Sequence, residues 1–170
     1  MAPLSRENPG GSPQPTPNPF MDLRKMALEA TTELAAFDPS RADHQVYGAL
    51  MDWGMGTGVA TLFALQDGTA SLYLSTGGGV IGGGSHEPVK SAARAFVRSF
   101  EPFVGTMSPD PRADLPSAGF TDLRALTTTG RLVLRATTEE FGRRRHPMAD
   151  VFFAAQALIG ALRAVADQRK

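Results

Sequence analysis

Apolar residues recur along this chain in two rhythms, one near 3.6 and one of two, and together they mark out eight segments. The first is helical. Leu23, Met26, Ala27, Ala30, Leu34 and Phe37 follow each other at helical spacing until Asp38-Pro39 ends the run, which predicts a helix over 22–36. Three strand-like segments follow, at 46–53, 59–66 and 70–75. Asp67-Gly68 joins the second to the third, and glycine there supplies the positive φ of a tight hairpin turn. The second segment is apolar on both sides, with Val59, Phe63 and Leu65 on one and Ala60, Leu62 and Ala64 on the other. Such a strand is expected to be central and covered twice.

A second helical run carries Val89, Ala92, Ala93, Phe96, Val97 and Phe100, with Lys90, Arg94 and Arg98 on its wet side. A proline-rich loop is expected over 105–119. Segments 121–128 and 131–138 then form a second hairpin turned at Thr129-Gly130. The last run predicts a helix over 147–168, with Met148, Val151, Phe152, Ala155, Leu158, Ile159, Leu162 and Val165 in one stripe. Phe153, Ala157 and Ala161 lie beside that stripe as a second one. The element order α-β-β-β-α-β-β-α predicts an α+β domain over 21–170, a five-stranded, mainly antiparallel sheet with three helices.

That order, spread over most of 22–168, resembles the profilin-like group, which includes roadblock and longin domains. Those domains place two strands before the central helix and three after it; this chain has three and two. The glycine-rich stretch 75–86 resembles one found in uncharacterised bacterial proteins. Such a family has no established active site, so the resemblance carries over no functional residue.

Composition narrows the function classes. Residues 1–20 include Pro3, Pro9, Pro13, Pro15, Pro17 and Pro19 with little apolar surface, which predicts a disordered tail or a site for a proline-recognising partner. Seventeen basic residues balance seventeen acidic ones, which argues against a protein dedicated to nucleic acid or anionic membrane. The absence of cysteine removes thiol nucleophiles, thiolate metal sites and disulfides. With no uninterrupted apolar run of membrane-spanning length and no signal-peptide core, the expectation is a cytoplasmic protein.

The glycine stretch is the nearest thing to chemistry. It leads from a strand into a helix, so Gly82, Gly83 and Gly84 can offer backbone N–H groups to an anion at the helix N-terminus. Ser85 would cap that helix and His86 would sit in its first turn. Asp52 and Trp53, at a strand end beside a second glycine loop, complete this candidate site if the two loops meet. The alternative is steric, since glycine lets the chain cross closely over a neighbouring strand. Residues 52–58 lead into a strand, not a helix, and so fail the context of a dinucleotide-binding turn. His44, His86 and His146 lack metal-ligand spacing, and no cofactor or metal is expected. Arg143, Arg144 and Arg145 follow Glu139 and Glu140 and read as a solvated loop. Asp122, Arg124, Leu126, Arg131, Val133 and Arg135 share one face of the second hairpin, either an interface or a solvent face.

Two functions follow from this inventory. The first is a non-enzymatic scaffold or regulatory domain that forms a homo-oligomer through sheet or helix faces or takes a protein partner. The second is a binding protein for a small anionic ligand, with enzymatic chemistry left open, built on Gly77–Gly84, Ser85 and His86 with Asp52 and Trp53 nearby.

Overall fold

The computed structural model describes residues 17–41 and 44–170, so the proline-rich segment up to position 16 lies outside the described residues. The chain runs α1 (Phe20–Leu28), β1 (Val46–Met55), β2 (Gly58–Leu65), β3 (Ala70–Leu74), β4 (Gly79–Val80), α2 (Glu87–Ser99), β5 (Ser108–Pro109), β6 (Phe120–Thr127), β7 (Gly130–Thr137), α3 (Thr138–Gly142) and α4 (Ala149–Gln168). The strands form one sheet in the order β4-β3-β2-β1-β6-β7-β5, and every pairing is antiparallel.

The expected five strands and three helices are therefore corrected to seven strands and four helices among the described residues. The added strands are two residues long and pair at the two edges of the sheet, too short to leave a period-two signal. Each came from a segment expected to be loop. The added helix, α3, is a five-residue turn set by a capping box: Thr137 Oγ1 accepts from the Glu140 N–H, and the Glu140 carboxylate accepts from the Thr137 N–H.

The first helix is also shorter than its periodicity implied. α1 stops at Leu28, and residues 29–36 continue as turns in which Thr31 Oγ1 accepts from the Leu34 N–H. Ala36 ends them at φ 51°. β-Branched Thr31 and Thr32 favour such local turns over continued helix. Residue 20 belongs to this helix, not to the tail, and Phe20 is buried. α4 begins at Ala149, two residues later than expected.

β1 and β2 lie inside the sheet and are buried on both faces. One face, bearing Ala49, Met51, Leu62, Leu72, Leu123 and Ala125, packs under α2 and α4 in a continuous apolar cluster. The opposite face is divided. Leu50, Phe63, Leu65, Tyr73 and Leu126 form a smaller apolar cluster under α1 and the 30–37 turns. Beside that cluster, along β1, β6 and β7, the same face is lined with charge.

Candidate functional site

The glycine stretch is built into the sheet edge. Gly79 has φ +146°, and a Cβ there would lie 2.0 Å from the Leu72 carbonyl oxygen of β3. Gly77 donates its N–H to the Leu74 carbonyl, and the Gly78 carbonyl accepts from the Leu74 N–H. Together they close the turn between β3 and β4. Further on, Gly84 passes so close to the β2–β3 turn that a Cβ would meet the Gly68 oxygen at 3.1 Å. Close approach of backbone thus accounts for Gly79 and Gly84.

The expected cap also differs. Ser85 ends a 3-10 turn, Gly83–Ser85, and His86 is itself the N-cap of α2, with no side-chain hydrogen bond to the helix. His86 has extended backbone, φ −104° and ψ 127°, which separates the 3-10 turn from the helix that starts at Glu87. Gly82 is open to solvent at φ +73°.

Asp52 and Trp53 do not join this loop. Gly84 packs at the 67–69 turn, whereas Asp52 lies well along β1, opposite Thr61, which is itself opposite Tyr73. Period-two alternation then separates Asp52 from Trp53. Trp53 packs against the apolar cluster under α2 and α4, and Asp52 points to the other face. The three histidines are likewise apart. His146 accepts the Met148 N–H at Nδ1, His44 lies edge-on to Phe37, and His86 caps α2. Among the described residues no three metal-ligating side chains converge.

Asp52 has no exposure to solvent, and an ionic cage surrounds it. Arg24 reaches down from α1 and places Nη2 2.7 Å from the Asp52 carboxylate, with Nε 3.2 Å away. Arg124 of β6 donates from Nη1 to the same carboxylate, and the Thr61 hydroxyl donates to it from β2. Arg124 is the hub. Its Nε bonds Asp110 at 2.8 Å, and its Nη2 bonds Asp122 at 3.0 Å and the Asp114 carbonyl at 2.6 Å. Arg135 grips Asp122 with two bonds, and Arg131 grips Asp110 at 3.0 Å.

The protonation states follow from these partners. Burial works to raise the Asp110 pKa, but the Arg124 hydrogen bond and charge, with help from the Ala113 N–H and Arg131, bring it below the ordinary carboxylate value. The Asp122 hydrogen bond raises the Arg135 pKa further still. The cage thus ties together five pieces of chain: α1, β1, β2, the β6–β7 hairpin and the 110–114 segment.

Part of this was visible in sequence. The alternate register of Asp122, Arg124, Arg131 and Arg135 places them on one face, but that face is neither an open interface nor a solvent face near Arg124. Arg24 and Asp110 were missed. Arg24 follows Phe20 by four residues and precedes Ala27 by three, so it sits in the buried stripe of α1, while Met26 points outward at 69% exposure. A charge within the apolar stripe is the signal that could have revealed it.

Two clefts flank the 110–114 segment. One of about 560 Å³ opens between α1 and residues 112–115, with Arg24 and Arg131 in its wall. The other, of about 290 Å³, is bordered by Arg112, Arg124 and Arg135.

α4 presents a different surface. It is the one helix among the described residues long and apolar enough by composition to cross a membrane, with a mean hydropathy of 1.5 over an 18-residue window. Only 44% of that window is buried. No charged residue occurs between Asp150 and Arg163. Its outward side bears Phe153, Ala157, Gly160 and Ala164 at spacings of four, three and four. Arg144, paired with Asp150, lies 4.2 Å over the Phe153 ring at one end of this row. The Nε2 of Gln156 on the same helix is buried without a hydrogen-bond partner among the described residues.

No family model matches this chain, and comparison with curated proteins and with solved structures returns no match.

Proposed function

We propose that this domain works by association, as a non-enzymatic scaffold or regulatory module that pairs with a second copy through the outward side of α4. The observation that carries the reading is the outward row Ala157, Gly160 and Ala164, continued at one end by half-buried Phe153, on a helix with no charged residue between Asp150 and Arg163. A helix that covers a sheet in water normally turns charged residues outward. Here small residues stand in their place, and they let two helix axes approach within about 8–10 Å. The 4-3-4 spacing is that of a seam between paired helices.

The ionic cage supports the same reading from the other face. Asp52, Asp122 and Arg124 spend their hydrogen-bonding capacity on one another and on backbone, as groups that hold a fold together do.

Sedimentation equilibrium of the full chain at micromolar concentration tests the proposal. The expected result is a dimer that Ala157→Arg converts to a monomer without loss of thermal stability. A wild-type chain that remains monomeric up to about 100 μM, where weak but specific contacts are already populated, overturns it.

A further inference from the structure

The cleft beneath α1 is a second candidate for binding, independent of α4. Arg24 is 3% exposed, and its Nε and Nη2 atoms are committed to Asp52 and the Ala113 carbonyl. Its Nη1 amino group has no partner among the described residues. Unlike the amide nitrogen of Gln156, Nη1 is not sealed from solvent. Arg24 is part of the cleft's wall, and Nη1 is its one nitrogen left for a guest. The guanidinium is held on two sides by the cage and presents one donor edge to a guest. That arrangement is pre-organised to receive a carboxylate.

The rest of the cleft decides what carries that carboxylate. Met21, Leu28 and Leu115 give it an apolar wall, and Met21 is 56% exposed. Its rim holds Asp22, Glu29 and Asp114 against Lys25 and Arg112. Arg24 pairs with Asp52 and half-buried Arg131 with Asp110, and both carboxylates are shared with Arg124. Cleft and cage together set six cationic groups against six carboxylates, so no excess of positive charge draws a polyanion such as a nucleotide. A guest that brings both signs meets complementary groups. At about 560 Å³ the cleft falls in the range of small-molecule sites.

We infer that this cleft binds an apolar zwitterion of the α-amino acid class, its carboxylate on the free edge of Arg24, its ammonium toward the acidic rim and its side chain against Met21, Leu28 and Leu115.

Three probes separate the parts of this claim: leucine, 4-methylpentanoate, which lacks the ammonium, and isopentylamine, which lacks the carboxylate. Titration of the isotope-labelled full chain by NMR should show saturable leucine binding that shifts resonances of residues 21–29 and 112–115. Both analogues should bind at least about fivefold more weakly, the worth of one exposed ionic contact. Glu29→Gln with Asp114→Asn should weaken leucine by a similar factor and leave 4-methylpentanoate unchanged. Both substitutions alter exposed side chains, and the Asp114 carbonyl that Arg124 uses remains. No saturation by leucine at 20 mM, roughly the weakest affinity worth the name, would overturn the inference. Equal binding of leucine and 4-methylpentanoate would do the same, as would shifts confined to 77–86.

Discussion

Met51 and Asp52 are neighbours in β1, neither has any exposure, and they face opposite worlds. Met51 enters an apolar cluster sealed by α2 and α4. Asp52 enters a cage of guanidinium groups, a threonine hydroxyl and one helix turn. The two faces are held together by different physics. Burial on the first is non-directional and survives a change of side-chain shape with a graded loss. Burial on the second requires every partner, since removing Asp52 leaves the buried Arg24 guanidinium without a counter-charge and takes one of three carboxylates from Arg124. The apolar face is tolerant and the ionic face is brittle.

The sharpest break of that contrast is a pair of truncations one residue apart. Asp52→Ala should cost about 3–5 kcal/mol through the uncompensated Arg24 guanidinium. Met51→Ala should cost about 2–5 kcal/mol through a cavity, and a Met51→Leu repair should recover most of it. No hydrophobic repair should rescue position 52 while Arg24 and Arg124 remain. Urea unfolding measures all of these, and a loss below about 1 kcal/mol for Asp52→Ala, the value of a surface ion pair, breaks the comparison.

A smaller effect tests the sheet edge. Gly79→Ala forces a Cβ against the Leu72 carbonyl and should cost about 1–3 kcal/mol, whereas Gly82→Ala, with open space around it, should cost about 1 kcal/mol from its positive φ alone. Equal losses would mean that β4 does not hold the strand edge. The ionic face should also be the acid-sensitive one. Because the folded-state pKa of Asp110 is depressed, its contribution is complete above the unfolded value of 3.8 and is lost as pH falls through the folded value. Asp110→Asn should therefore flatten the acid limb of stability below about pH 4; an unchanged limb counts against the cage at that corner. The smallest expected change is at Thr137→Ala, about 0.5–1 kcal/mol for one cap, read by thermal unfolding.

The tolerant face was legible in sequence, and the brittle one was only half so. Period-two and period-3.6 patterns locate the segments that pack on the apolar face, because burial there acts on residue type alone. Edge strands β4 and β5 were not legible: two residues carry no period, and their pairing is decided by the neighbouring strand. That Asp52 and Trp53 lie apart from the glycine loop was illegible for a related reason. Glycines at 77–84 stand out locally, yet Gly79 and Gly84 answer to close backbone contacts with residues distant in sequence. The cage drew on residues from 24 to 135, and no local pattern ties Arg24 to Asp52 or Asp110 to Arg124. The outward stripe of α4 was legible from Phe153, Ala157 and Ala161. The structure moves its exposed part to Ala157, Gly160 and Ala164 and leaves both Phe153 and Ala161 half-buried.

Since the chain contains no cysteine, a single spin label can be placed on Ala157→Cys without competing sites. Dipolar distance measurement on that variant tests association through α4 most directly. Two α4 helices in contact lie about 8–10 Å apart, so labels at 157 should give a narrow distribution under about 25 Å. A label on Thr57→Cys, in the β1–β2 turn, should give a longer distance. No coupling at position 157 in a sample whose wild-type counterpart is dimeric, or coupling at 57 and not at 157, would contradict the account.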